Sequence, residues 1–122
     1  MITLITGAPG AGKTSLLVSM LMNEPDFRNR AIYVDGIPEL KLPHEEIPED
    51  RKVTDYHEWL PDTAILIVDE AQRYWRPRSN SVAVPKELQA LETHRHHSWD
   101  IIFITQHPAL LDNHIRRFVG RH

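Results

Sequence analysis

Ile2-Thr3-Leu4-Ile5-Thr6-Gly7-Ala8-Pro9-Gly10-Ala11-Gly12-Lys13-Thr14 is the stretch on which the reading of this chain turns. Its first five residues are apolar or β-branched and too few for a helix, which is the composition of a short buried strand. Glycines and Pro9 interrupt the strand. Leu16, Leu17, Met20 and Leu21 then recur at helical spacing until Asn23 and Pro25 end the run. Within this strand–turn–helix, Gly7 to Thr14 match G-x-x-x-x-G-K-[ST], and the match falls in the structural context that the pattern requires. Gly10 and Gly12 permit backbone conformations that turn successive N–H groups inward, and without side chains they let phosphate oxygens approach. The helix that follows adds the positive end of its dipole. Lys13 is then placed for β- and γ-phosphates and the Thr14 hydroxyl for Mg²⁺. The candidate binding set is Gly7, Gly10, Ala11, Gly12, Lys13, Thr14 and Ser15, with ATP and Mg²⁺ as the expected cofactors.

Further along, Ala31 to Val34 forms a second strand candidate stopped by Asp35-Gly36. From Ile37 to Asp62 four prolines and a surplus of acids predict an irregular excursion, with one helical turn around Thr54 to Trp59. Ala64-Ile65-Leu66-Ile67-Val68 is an unbroken apolar run ending in Asp69-Glu70, the pattern of a central strand in a parallel sheet. Pro85 opens a helix with Leu88 and Leu91 inward. Trp99 to Thr105 reads as a fourth strand, Pro108 opens another helix, and Phe118-Val119 reads as the start of a fifth strand. Strands alternating with helices predict an α/β fold: a doubly wound, mainly parallel sheet of about five strands with helices on both faces.

The acidic pair lies where open α/β sheets bind ligands, at the carboxyl end of a strand. Asp69 is the candidate magnesium ligand alongside Thr14, and Glu70 the group that orients or activates an attacking water. Adjacent strand residues point to opposite faces, but the last residue of a strand can turn, so both acids can serve one site. A carboxylate beside the metal ligand favours hydrolysis over transfer to a small acceptor. Gln106, after the fourth strand, is a candidate γ-phosphate sensor, and Arg95 is a candidate arginine finger across a subunit interface, as are Arg116 and Arg117.

Composition excludes more than it specifies. With no cysteine among 122 residues, disulfides and thiolate metal sites are impossible. A net charge of −3 gives no global attraction to nucleic acid or anionic lipid, so such contacts would need a local patch. Arg73, Arg76 and Arg78, interleaved with Tyr74 and Trp75, are the one basic aromatic stretch, either a site for phosphate, an acidic partner or single-stranded DNA, or a solvated loop. His94, His96 and His97 project in different directions and lack a completing ligand, which weighs against zinc.

The loop at Gly7 to Thr14, Ile67 to Arg73, Trp75-Arg76-Pro77-Arg78, Glu92-Thr93-His94-Arg95-His96-His97-Ser98-Trp99-Asp100 and Thr105-Gln106-His107-Pro108 together resemble the zonular occludens toxin (Zot) family, which includes assembly ATPases of filamentous phages. The loop is generic; the His-Arg-His-His-x-x-Asp segment is far more particular. The resemblance covers essentially the whole chain. It implies the N-terminal P-loop NTPase domain, residues 1–122, of a longer protein. That protein would be anchored in the host bacterial inner membrane, with this domain cytoplasmic. There it would hydrolyse ATP as a ring-shaped homo-oligomer and drive virion assembly and export. Phage assembly proteins and phage single-stranded DNA or its coat complex would be its partners, and it would meet the membrane only through residues absent from this chain. A small-molecule or nucleotide kinase with Ile37 to Asp62 as its lid, and a non-catalytic nucleotide-gated binding module, are the alternatives.

Overall fold

The computed structural model describes residues 1–8 and 12–122. Four strands form its sheet: β1 (Ile2–Thr6), β2 (Ile32–Asp35), β3 (Ile65–Val68) and β4 (Asp100–Thr105). They lie in the order β1-β4-β3-β2, and every neighbouring pair is parallel. Parallel neighbours need crossovers that pass over the sheet faces, so both faces become covered and the strands read as continuous apolar runs. All four residues of β3 are fully buried. At about 1.5–3 kcal/mol for each fully buried aliphatic side chain, this short strand is a large part of what holds the sheet.

The helices divide the faces between them. Leu17, Met20 and Leu21 of α1 (Lys13–Asn23) pack with Ile5, Ile65, Ile67, Ile102 and Ile104. On the other face, Leu4, Leu66, Val68, Ile101 and Phe103 meet three helices and a 3₁₀ segment. These are α2 (Tyr56–Trp59), α3 (Lys86–Gln89), Ala90–His97 and α4 (Asn113–Phe118). Alternate residues of each strand thus serve opposite cores, which fixes the register. The doubly wound arrangement expected from the strand–helix alternation is the one observed.

Several boundaries differ from the expectation. Phe118 closes α4 instead of opening a strand, and the chain meets β1 at Gly120 and Arg121, the latter in a single parallel bridge to Thr3. The sheet therefore has four strands, with a fifth only begun on the free side of β1. The helix expected at Pro108 is a 3₁₀ turn, Pro108–Leu110, and α4 starts only after the Asp112 side chain accepts from the His114 N–H. The helix after Pro85 gives way to 3₁₀ geometry from Ala90, and inside that segment Thr93 leaves helical φ/ψ. The excursion after Ile37 is packed rather than free: it buries Ile37 and Leu40 in one core and Val53, Tyr56 and Leu60 in the other. On its way it covers the open edge of β2, where Glu45 donates its N–H to the Ile32 carbonyl at 2.7 Å. Among the described residues no helix is long and apolar enough to cross a membrane.

Arg30 ties the amino ends of the strands together. It donates to Asp100 Oδ2 at 2.6 Å, to the Thr63 carbonyl at 2.6 Å and to the Ser98 carbonyl at 2.9 Å. Arg78 does the same for the far face. Its Nε and Nη2 fork onto Asp112 at 2.5 and 3.0 Å, while Asp112, only 2% exposed, also caps α4. Removing one partner of such a pair strands the other charge in a low-dielectric site. Asp112→Ala should therefore destabilise the fold by about 3–5 kcal/mol, and Asp112→Asn, which keeps the cap, by clearly less. Urea unfolding of the two variants checks the order.

Candidate functional site

The carboxyl edge of the sheet gathers the candidate residues. Gly12 sits at φ 83°, ψ 21°, a left-handed conformation natural to glycine, and leads into α1. That helix has no side chain capping its N-terminus and no acid in its first turn. Its leading N–H groups and dipole are therefore left available to an anion. Lys13 is half-buried and donates to the Gly7 carbonyl at 2.7 Å, which lays the ammonium across the loop. Thr14 and Ser15 are exposed in the first turn of α1. Gly10 and Ala11 fall outside the described residues.

Asp69 and Glu70 follow β3. The Asp69 N–H donates to the Asp35 carbonyl at 2.9 Å, which extends the β2–β3 ladder by one residue. Glu70 then adopts φ 49°, ψ 52°, a left-handed geometry that costs a non-glycine residue about 1–2 kcal/mol. This turn breaks the strand alternation, and the structure shows how it is held. The Glu70 N–H donates to Asp69 Oδ1 at 2.9 Å. Arg73 donates to the Asp69 carbonyl at 2.5 Å, to the Glu70 carbonyl at 3.1 Å and to Asp35 Oδ2 at 2.8 Å. A Cβ at Gly36 would lie 2.6 Å from the Arg73 guanidinium, so Gly36 is what lets that arginine reach the turn. Burial pushes the Asp69 carboxyl above its ordinary pKa and adjacent Glu70 pushes the same way, while the backbone hydrogen bond, Lys13 and Arg73 pull it down.

β4 lies between β1 and β3, so its end, Thr105-Gln106, comes between the loop and the acids. Thr105 is fully buried and donates to Gln72 Oε1 at 2.8 Å, and Gln72 Nε2 donates to Glu70 Oε2 at 2.5 Å. Gln106 itself is exposed. The topology thus brings together Lys13, Thr14, Asp69, Glu70 and Gln106.

It does not bring Arg95 there. Arg95 lines a cleft of about 660 Å³ with Met1, Arg30, Asp100 and Arg121 at the amino edge of the sheet, the end opposite the phosphate loop. Within one chain it stands away from the site, and so a finger role requires a neighbouring subunit. Arg116 and Arg117 are exposed in the last turn of α4. The basic aromatic stretch is mostly framework: Trp75 is 3% exposed and edge-on to Phe103, Arg78 is paired with Asp112, and Arg73 braces the acidic turn. Only Arg76 of its arginines is exposed with no ion-pair partner among the described residues. The histidines separate as well. His94 is buried on the Leu91 carbonyl, His97 stacks on Trp99 and pairs with Asp62, and His96 is exposed. Among the described residues no group of three or more potential ligands could hold a metal by itself.

Gln72, Thr105 and Arg73 were not assigned these roles from the sequence. The one available signal was position, two and three residues past the acidic pair for Gln72 and Arg73 and the last strand residue for Thr105.

The parallel order with β4 inserted, the glycine loop and the acidic turn define a P-loop NTPase fold. The family model of "Zonular occludens toxin (Zot)" matches residues 1–122, and this chain belongs to that family. It is 36% identical over 134 residues to ORF301 of Pseudomonas phage Pf3, which is named as an assembly protein. That match covers 100% of this chain and 41% of the phage protein, so the chain spans about two fifths of its relative's length. Among solved structures it resembles the N-terminal domain of zonular occludens toxin from Neisseria meningitidis, with TM-score 0.86 and 38% identity over 97% of this chain and 72% of the other. It also resembles the genome packaging NTPase B204 of Sulfolobus turreted icosahedral virus 2 in complex with ATP-γ-S, with TM-score 0.67, 18% identity, and 97% and 71% coverage. The latter likeness is one of fold.

The direction of the Asp69 shift has a measurable consequence. A carboxyl whose pKa is raised by folding costs stability progressively as pH rises from the ordinary carboxylate value through the raised one, because the unfolded chain ionises first and the native state solvates the charge poorly. Asp69→Asn removes the charge and keeps an acceptor for the Glu70 N–H. The variant should melt at a higher temperature than the parent at neutral pH. The gap should close on acidification, once both the native and unfolded parent are protonated. Thermal unfolding from neutral pH to below the usual carboxylate range reads both signs.

Proposed function

We propose that this chain binds and hydrolyses ATP with magnesium as the motor domain of a filamentous phage assembly protein. The observation that carries the reading is the convergence, at one sheet edge, of an uncapped helix N-terminus bearing Lys13 with the braced Asp69-Glu70 turn. Gly7, Gly10, Ala11, Gly12, Lys13, Thr14 and Ser15 hold the phosphates. Thr14 and Asp69 offer a hydroxyl and a carboxylate, the hard oxygen donors that magnesium prefers. Burial raises the Asp69 pKa, a penalty on its charge that a cation beside the carboxylate would offset. When bound, the ion supplies neutralisation of the triphosphate's charge. Glu70 takes the proton of the attacking water, Lys13 balances charge on the γ-phosphoryl group, and Gln106 reports that group's presence at the end of β4.

The hydrolase reading is favoured over a small-acceptor kinase because the segment after Ile37, the one lid candidate, is anchored in both cores. The packaging NTPase of the same fold holds ATP-γ-S in its own structure, and the Pf3 relative is named for assembly. Arg95 at the amino edge would then serve a neighbouring subunit's nucleotide in a ring. Single-stranded DNA or its coat complex would be the cargo. Membrane attachment of the whole protein would come from outside these residues, leaving this domain on the cytoplasmic side.

Lys13→Ala should abolish tight nucleotide binding. Glu70→Gln should leave magnesium–ATP affinity close to the parent's and lower kcat by about 10²–10⁴-fold. Calorimetry and phosphate release, with and without magnesium, test both. Parental turnover in both variants would refute the hydrolase.

A further inference from the structure

Gln72 has both ends of its amide engaged, and the order of those contacts is informative. Its NH₂ reaches Glu70 Oε2 at 2.5 Å and its carbonyl accepts from the Thr105 hydroxyl at 2.8 Å. An amide can be turned either way about its last torsion, so which end faces the carboxylate is decided by the hydrogen bonds each end can make. Here the choice is settled chemically. An ionised Glu70 can only accept, so the NH₂ must face it, and a hydroxyl proton from Thr105 then completes the carbonyl. Thr105 cannot wander, since it is fully buried as the last residue of β4. The backbone of Glu70 is pinned in its left-handed turn by Arg73, but a glutamate side chain still has three torsions to lose. The Gln72 amide is the group that fixes the carboxylate at their far end. β4 is also the strand next to β1, and Gln106, the candidate γ-phosphate sensor, is the next residue after Thr105.

Resting on the hydrolase reading above, we infer that Gln72 is the positioning residue for Glu70. Through the Thr105 hydroxyl it ties the water-activating carboxylate to the strand end that senses the nucleotide. Gln72 touches neither nucleotide nor metal in this scheme, so its loss acts on turnover and not on binding. The geometry further requires that Thr105 act only through Gln72, and Gln72 only through Glu70.

The test uses the full chain and two readouts. In the first, Gln72→Leu should lower kcat by about 10–100-fold, the scale expected when a reacting group is misplaced by about an ångström, with the Kd for magnesium–ATP unchanged. Thr105→Val should fall in the same direction and Thr105→Ser, which restores the hydroxyl, should recover. Gln72→Leu/Thr105→Val should be no slower than Gln72→Leu, and Gln72→Leu should cost nothing further in a Glu70→Gln background. A purely structural role would instead lower Tm and nucleotide affinity together and slow the Glu70→Gln enzyme again, which would overturn the proposal. The second readout needs no turnover. The Gln72 side-chain amide should give a proton resonance displaced downfield in the parent, and Glu70→Ala or Thr105→Val should return it toward the free-amide position. A free-amide position in the parent would overturn the proposal whatever the kinetics. A parent that binds nucleotide and shows the displaced amide, yet never turns over, would sink the hydrolase reading and with it the positioning role.

Discussion

Every strand of this sheet is covered on both faces, so a ligand can reach strand residues only at the two ends of the strands. The constraint comes directly from parallel pairing, which sends each crossover over one face or the other. Its result is visible in the buried Ile65 to Val68 and in the separation of Ile65 and Ile67 from Leu66 and Val68 into two cores. At the amino edge the ionic groups neutralise one another, with Arg30 on Asp100 and four backbone carbonyls as well. At the carboxyl edge Arg73 and Asp35 pair, but among the described residues Lys13, Asp69 and Glu70 form no ion pair. Among the described residues Lys13 donates to one carbonyl, Asp69 receives one backbone N–H on its carboxylate, and Glu70 is tethered by a neutral amide. Satisfied charges make a clamp, and incompletely satisfied ones make a site.

The carboxyl edge accepts local instability to achieve this. Glu70 sits in a backbone region that disfavours its Cβ, and Asp69 is buried enough to resist ionising. Such features persist only when the surroundings over-determine them. Here the surroundings are specific. Arg73 grips two consecutive carbonyls of the turn and is anchored on Asp35, which also accepts from the Tyr74 hydroxyl at 2.8 Å. Gly36, itself at φ 93°, leaves the space. The end of β2 thus works as a buttress for the end of β3.

Much of this was legible before any coordinates. The phosphate loop, the acidic strand and the helix–strand alternation follow from periodicity and from one motif, because burial on both faces writes itself into composition. Local breaks were harder. Thr93 and Asp112 each divide an apolar helical pattern that looks continuous, since a cap or a kink can sit inside a run of correctly spaced leucines. The arginine-rich stretch was legible only as two alternatives, a ligand site or a solvated loop. Arg73 and Arg78 look like ligand-seeking residues, and both turn out to serve carboxylates from distant parts of the chain, Asp35 and Asp112. No spacing rule connects residues 34 or 38 positions apart. The Gln72–Thr105 contact, 33 residues apart, was hidden for the same reason.

Topology carries one more step. If β4 lay outside β3, the loop and the acids would be immediate neighbours and no third strand would touch both. Inserting it between β1 and β3 puts Thr105 and Gln106 in line with each, so in the proposed mechanism one strand end would register the phosphates and the carboxylate together. Parallel register makes that coupling stiff. Thr6 pairs with Thr105, and Val68 pairs with Phe103 two residues back along the same strand. On the proposed reading the chemical step must depend on whether nucleotide is present, and a rigid strand ending between the two turns would meet that need.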